Sequence, residues 1–147
     1  MGVTSENVAA KYGISKEVQD RMAVESNAKA VAAQKNGWFD SEIVPFTTII
    51  KQKDGSMKEV TVSADDGPRE GTTMESLAKL KPVFKAGGST TAGNASQMSD
   101  GASMILMARR SAAKALGLPI LARMRSFACV GVDPRLMGIG PAFAIPE

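Results

Sequence analysis

No histidine occurs among the 147 residues. The commonest neutral-pH general base is therefore missing, and with it every Ser-His or Cys-His nucleophile pair and the usual transition-metal ligand. A single cysteine, Cys129, excludes an internal disulfide and any zinc site built on several thiolates, so no metal site is expected. No apolar run approaches the roughly 20 residues of a membrane-spanning helix. The opening Met1–Lys11 stretch also lacks the apolar region of a secretory signal. Charge of one sign is scarce as well: 18 basic against 15 acidic residues leave +3. Nucleic-acid binding needs a concentrated basic stripe, which this balance does not supply. The mid-chain lysines form two loose groups, Lys51, Lys53 and Lys58, then Lys79, Lys81 and Lys85. They read as solvated surface or as steering for an anionic ligand such as a phosphate.

What is present is a globular composition, 44% apolar and 22% charged, at the length of one ordinary domain. The first third reads as helical. Thr4 or Ser5 is placed to cap a short helix through Tyr12 that Gly13 ends. Ser15 precedes Lys16–Lys35, free of Gly and Pro, with Asn36-Gly37 closing it. Val24, Ala28, Val31 and Ala32 approximate an apolar stripe on that helix, with Glu25 and Lys29 beside it at i,i+4.

β-Branched and aromatic residues then gather in Glu42–Ile50. Lys53–Ser56 reads as a turn and Glu59–Val62 as a returning strand, which makes an edge-exposed hairpin. Thr72 with Glu75 suggests a capping box that opens a helix over Met74–Leu80. Ala86–Ser103 is a glycine-rich loop. Met104–Ala108 and Ile120–Val132 have the apolar content of buried strands, and Ser111 is placed to cap a helix over Ala112–Leu116. Asp133-Pro134-Arg135 turns the chain.

Few side chains stand out as chemistry. Cys129, amid Phe127, Ala128 and Val130, reads as a buried, inert thiol. Asp65, Asp66 and Asp100 adjoin glycines or lie one residue from one, as turn residues do. Met98, Met104 and Met107 fill core or line an apolar ligand channel. The loop Gly88–Ser96 differs, because its small residues let a ligand approach the backbone while its hydroxyl and amide groups can hydrogen-bond it. It has neither the Gly-Lys-Ser/Thr of a phosphate-binding loop nor a G-x-G-x-x-G turn. Composition leaves it either a binding loop or a plain connection.

The string Thr91-Ala92-Gly93-Asn94-Ala95-Ser96 followed by Ser99-Asp100-Gly101-Ala102 resembles the TAGNxSxxxDGA segment of the thiolases. Met1–Ala9, Gln19-Asp20, Asp40–Pro45, Lys79–Phe84, Gly131–Pro134 and Met137–Pro141 follow in that family's order. The Gly138–Pro146 ending looks most like the peroxisomal-type 3-ketoacyl-CoA thiolases of fatty-acid β-oxidation.

The resemblance implies an α/β fold, a layered α-β-α-β-α sandwich of two similar halves with an inserted loop domain. On that basis residues 1–95 are the loop domain, 96–132 the end of the N-terminal half and 133–147 the start of the C-terminal half. The implied activity is thiolytic cleavage of 3-ketoacyl-CoA to acetyl-CoA and a shortened acyl-CoA. CoA and acyl-CoA are then substrates and no bound cofactor is implied. A homodimer or homotetramer is implied for the intact parent, and the peroxisome as its location.

The resemblance places no catalytic residue in this segment, since the nucleophilic cysteine, the histidine and the second cysteine of the family lie beyond it. It assigns Ser96 to the pantetheine chain, with Ala92 and Gly93 presenting backbone and Phe84 packing along it. Arg69 falls near the adenosine phosphate, and Met1 and Met137 beside the acyl pocket. Asn94 and Asp100 hold the loop. A non-catalytic thiolase-like module that binds CoA or lipid, and a fragment of a biosynthetic acetoacetyl-CoA thiolase, are the alternatives.

Overall fold

The computed structural model describes residues 1–147 and divides into two compact units, Met1–Ser96 and Gln97–Glu147. The first opens with α1 (Gly2–Tyr12) and α2 (Lys16–Lys35). Gly13 ends α1 at φ 64°, in the left-handed region where a side chain would be strained, and the Ser15 hydroxyl accepts the Val18 N–H to start α2. α1 begins earlier than Thr4 or Ser5 would allow. Met1 is its N-cap, and the Thr4 hydroxyl bonds back to the Met1 carbonyl instead of capping.

The inward side of α2 is broader than the expected stripe. Val24 and Val31 are half-buried as expected and Ala28 and Ala32 are exposed, while Asp20, Ala23, Asn27, Ala30 and Ala33 also turn inward. Spacings of three and four put these last on one helical side, one of small and polar residues. The ion pair on α2 joins Lys16 to Asp20 at 2.5 Å, not Glu25 to Lys29.

β1 (Phe46–Lys51) and β2 (Met57–Val62) form an antiparallel hairpin in the register Phe46↔Val62 to Lys51↔Met57, with Thr47 and Thr61 hydroxyls 2.9 Å apart across it. Gly55 turns the hairpin at φ 86°. α3 is short, Met74–Ala78, and its capping box uses Thr73 and Ser76 rather than Thr72 and Glu75. Thr72 instead donates its hydroxyl proton to the Arg69 carbonyl. The core of this unit is slight: Ala9, Ala33 and Leu77 are its buried apolar residues.

The second unit contains α4 (Arg110–Ala115), a 3-10 helix over Pro134–Ile139 and α5 (Gly140–Ala144). Arg109, without a side-chain hydrogen bond, is the N-cap of α4, in place of Ser111. The Asp133 carboxylate accepts the Arg135 N–H and so turns the chain as expected. Met104–Ala108 and Ile120–Val132 are not strands. The sheet contains only β1 and β2, so these segments have no ladder partner, and a strand exists only as part of a ladder. Most of their side chains are exposed for the same reason, with Val130 and Val132 half-buried. Cys129 is consequently exposed, not buried.

Candidate functional site

The loop Gly88–Ser96 is held by a polar cluster rather than by apolar packing. α1 brings the Glu6 carboxylate to the start of the loop. Its Oε1 accepts the Thr90 N–H at 2.8 Å and the Ser89 N–H at 3.0 Å, and its Oε2 accepts the Ser89 N–H at 3.0 Å and the Ser89 hydroxyl at 3.3 Å. Burial raises the Glu6 pKa, but the hydrogen bonds from Thr90 and Ser89 together outweigh it and hold the carboxyl below its ordinary value. One residue earlier on α1, the Ser5 and Thr90 hydroxyls lie 2.9 Å apart.

α2 holds the other end. Asp20 is only 2% exposed; its Oδ1 accepts the Asn94 side-chain amide at 2.9 Å while its Oδ2 faces Lys16. Lys16 in turn donates to the Leu77 carbonyl at 2.9 Å, which ties α2 to α3. Gln19 donates to the Ser89 hydroxyl at 2.9 Å.

Within the loop Asn94 closes the turn. Its Oδ1 accepts the Thr91 N–H at 2.8 Å, and its amide donates to the Ser89 carbonyl at 2.9 Å. Thr91 is 1% exposed, its hydroxyl accepting the Gly93 N–H. No buried side-chain nitrogen or oxygen lacks a partner. A loop with many backbone N–H groups and little apolar surface is fixed in this way because a buried carboxylate can satisfy several donors at once.

The small residues have a steric reason at two positions. A Cβ at Gly93 would lie 2.5 Å from Leu77 Cδ2 and 2.6 Å from Leu80 Cδ1, so the loop backbone sits directly on α3 and the turn after it. A Cβ at Gly88 would lie 2.6–2.8 Å from the three carboxyl atoms of Glu6. Ala92 and Ser96 are exposed, on the open side of the loop.

The remaining predicted residues are placed as follows. Phe84 is about half exposed, and its ring lies over Gly2, where an added Cβ would meet it at 2.2 Å. That brings Phe84 to the first turn of α1, whose N-cap is the exposed Met1. Arg69 lines a separate groove of about 250 Å3 together with Asn27, Ala28, Val31, Glu70, Gly71 and Thr72. Its backbone N–H donates to Asn27 Oδ1 at 3.2 Å, leaving the position of the segment set by α2. Met137, partly exposed, belongs to the second unit. The two lysine groups are exposed. No three carboxylates or thiols come together in a way that could hold a metal ion. Asn94 holds the loop as expected, whereas Asp100 is exposed on the second unit.

Glu6 and Asp20 were missed as functional candidates by reasoning from composition. The signal available was a carboxylate at inward positions of two helices whose faces offer little else to bury.

Residues 1–111 match the family model described as "Thiolase, N-terminal domain". The rat peroxisomal 3-ketoacyl-CoA thiolase B is 61% identical over 146 residues, which is 99% of this chain and 34% of that protein. Among solved structures, an acetyl-CoA acetyltransferase of Bacillus anthracis superposes with a TM-score of 0.86 at 46% identity, covering 99% of this chain and 36% of that one. The dimeric peroxisomal thiolase of Saccharomyces cerevisiae gives 0.83 at 50% identity, with 99% and 35% coverage. The chain thus spans about a third of the length of the relatives it matches. A family model covering residues 1–111, and structural agreement over 99% of the chain, place it in the α/β thiolase fold: the chain belongs to the thiolase family.

Proposed function

We propose that this chain is a segment of a peroxisomal 3-ketoacyl-CoA thiolase and that it supplies coenzyme-binding residues to that enzyme. The single observation that carries the reading is the 61% identity to the rat peroxisomal enzyme across 99% of the chain, loop 88–96 included. Among solved structures the yeast peroxisomal thiolase, at 50% identity, stands above the Bacillus acetyl-CoA acetyltransferase at 46%, which supports the peroxisomal type. In this reading residues 1–95 act as the loop domain, 96–132 end the N-terminal half and 133–147 begin the C-terminal half. The whole enzyme cleaves 3-ketoacyl-CoA with CoA to give acetyl-CoA and a shortened acyl-CoA. It works in the peroxisome as a homodimer or homotetramer. The dimeric description of the yeast structure and the peroxisomal names of the relatives support those last two parts.

The backbone at Ala92 and Gly93 runs along the pantetheine chain, and the Ser96 hydroxyl hydrogen-bonds it. Phe84 offers a half-exposed apolar face to the same chain, and Arg69 faces the nucleotide phosphate. Met1 borders the acyl group. The absence of histidine in this segment assigns the acid–base work to other parts of the enzyme.

The test uses the full-length protein and its CoA affinity. Ser96→Ala weakens CoA binding by about 0.5–1.5 kcal/mol, the net worth of one neutral hydrogen bond. Arg69→Ala weakens it chiefly at low salt, because a phosphate contact near the surface is screened. The two effects add, since the groups act at opposite ends of the coenzyme. Loss of turnover in Ser96→Ala at saturating substrate, or unchanged CoA affinity in both variants, refutes the assignment.

A further inference from the structure

Two buried carboxylates outside the assigned ligand contacts fix the loop, and one of them holds the Ser89 and Thr90 amides. We propose that Glu6 is a positioning residue for coenzyme binding: by accepting the Ser89 and Thr90 N–H groups it sets where the Ala92–Ser96 backbone stands toward the pantetheine chain. This rests on the reading of the loop as the CoA site.

Three observations carry it. Glu6 is 6% exposed, yet it is in none of the chain's ion pairs; it accepts hydrogen bonds from the Ser89 and Thr90 backbone amides and from the Ser89 hydroxyl. A buried carboxylate is costly, so this one is repaid wholly by the loop it holds. The contact is also specific for the loop's path. Ser89 and Thr90 precede the ligand-facing residues with only the buried Thr91 between, and the Thr90 carbonyl accepts the Val83 N–H at 3.0 Å, one residue before Phe84. A shift of the 89–90 backbone therefore moves both sides of the pantetheine site together. Finally, Gly88 is small where its Cβ would strike the Glu6 carboxyl group, and its φ is not in the left-handed region. The missing side chain there leaves room for the carboxylate rather than for a special backbone conformation.

The experiment is initial-rate kinetics of the full-length thiolase with CoA varied at saturating 3-ketoacyl-CoA, on Glu6→Gln, Gly88→Ala and Ser96→Ala, with a melting temperature for each. Glu6→Gln keeps the shape and one acceptor but removes the charge; Gly88→Ala keeps Glu6 and displaces it. Both raise the KM for CoA about three- to tenfold while kcat at saturation stays within about twofold, because misplacement of a binding element lowers affinity for the coenzyme without touching the reacting carbon. A fall in melting temperature with KM unchanged in both variants makes Glu6 merely structural and overturns the proposal. A fall in kcat with KM unchanged overturns it too. If Glu6→Gln does not fold, Gly88→Ala decides by the same split. Ser96→Ala separates the two layers: if it weakens CoA while Glu6→Gln and Gly88→Ala do not, the positioning role alone is wrong. If none of the three moves KM, the loop is not the CoA site.

Discussion

Replacing Gly93 by alanine tests whether the loop rests on α3 as tightly as its geometry states. The new Cβ would meet Leu77 Cδ2 at 2.5 Å and Leu80 Cδ1 at 2.6 Å, about 1 Å inside ordinary carbon–carbon contact, so both leucines must retreat or the loop must lift. Leu80 is partly exposed and can swing aside. Leu77 is 5% exposed and is the largest buried apolar side chain of its unit, so it has no free volume to move into. Overpacking of this kind costs about 1–3 kcal/mol. With a urea slope of about 1–2 kcal/mol/M for a unit of this size, the denaturation midpoint falls by about 1 M. The assay is urea unfolding of the chain followed by far-ultraviolet circular dichroism, to which α1 and α2 contribute most. Gly101→Ala is the matched control. Gly101 has an ordinary backbone conformation and nothing near its missing Cβ, so alanine there leaves the midpoint in place. A midpoint for Gly93→Ala indistinguishable from that of Gly101→Ala would show that the loop does not bear on Leu77.

Acid should weaken the first unit through Glu6. Its folded pKa lies below the ordinary 4.5, so its contribution is complete above 4.5 and is lost as pH falls from there through the folded value. Stability measured against pH in that window falls less steeply in Glu6→Gln than in the wild type, and parallel curves would contradict the assignment. Thr73→Ala removes the hydroxyl that accepts the Ser76 N–H at 3.2 Å and costs about 1 kcal/mol, read as a lower melting temperature; a change below about 0.3 kcal/mol refutes the cap. The purified chain binds a hydrophobic dye or self-associates, because Met104, Ile105, Leu106, Leu121 and Phe127 are all more than three-quarters exposed. A monodisperse chain without dye binding contradicts that. The chain alone gives no acetoacetyl-CoA thiolysis above a buffer blank, since it carries no histidine base and no activated thiolate; turnover would overturn the view that its contribution is coenzyme binding.

Local signals predicted local structure well. Gly13 ended α1, and Ser15 and the Asn36-Gly37 pair bounded α2, because capping depends on residues within one turn of the end. The hairpin was visible in its β-branched run and in Lys53–Ser56. What periodicity could not reveal was that polar residues share the inward side of α2. With alanines on several faces, the choice was made by Asp20 and Asn27, which bond Asn94 and the Arg69 N–H far along the chain. The same limit applied to Met104–Ala108 and Ile120–Val132. Apolar content says that a segment suits burial, but pairing needs a second strand, and none in this chain supplies it. The loop itself was recognisable as a string, whereas its anchors were not. Glu6 lies 83 residues from Ser89, and an acid on a helix ordinarily means a solvated face.

If the loop is the coenzyme site we propose, its polar anchoring follows from what a ligand-facing loop has to be. Residues small enough to let a coenzyme touch backbone, as Ala92 and Gly93 are, carry almost no surface to bury, so such a loop cannot be held by a hydrophobic core. Its own N–H groups are the remaining handle. Neutral acceptors would contribute about 1 kcal/mol each, whereas bonds to a charged acceptor contribute about 1.5–3 kcal/mol. Glu6 takes the amides of Ser89 and Thr90, and Asp20 takes Asn94, which in turn holds Thr91. Placing the acids on α1 and α2 matters as much as their charge. Helices carry their side chains in fixed directions, so a loop hung from two of them inherits their rigidity while keeping its open side bare. The weak apolar core of this unit and the strength of its buried carboxylates are therefore two aspects of one solution. The backbone that must approach a ligand closely is fixed through the hydrogen bonds it would otherwise leave to water.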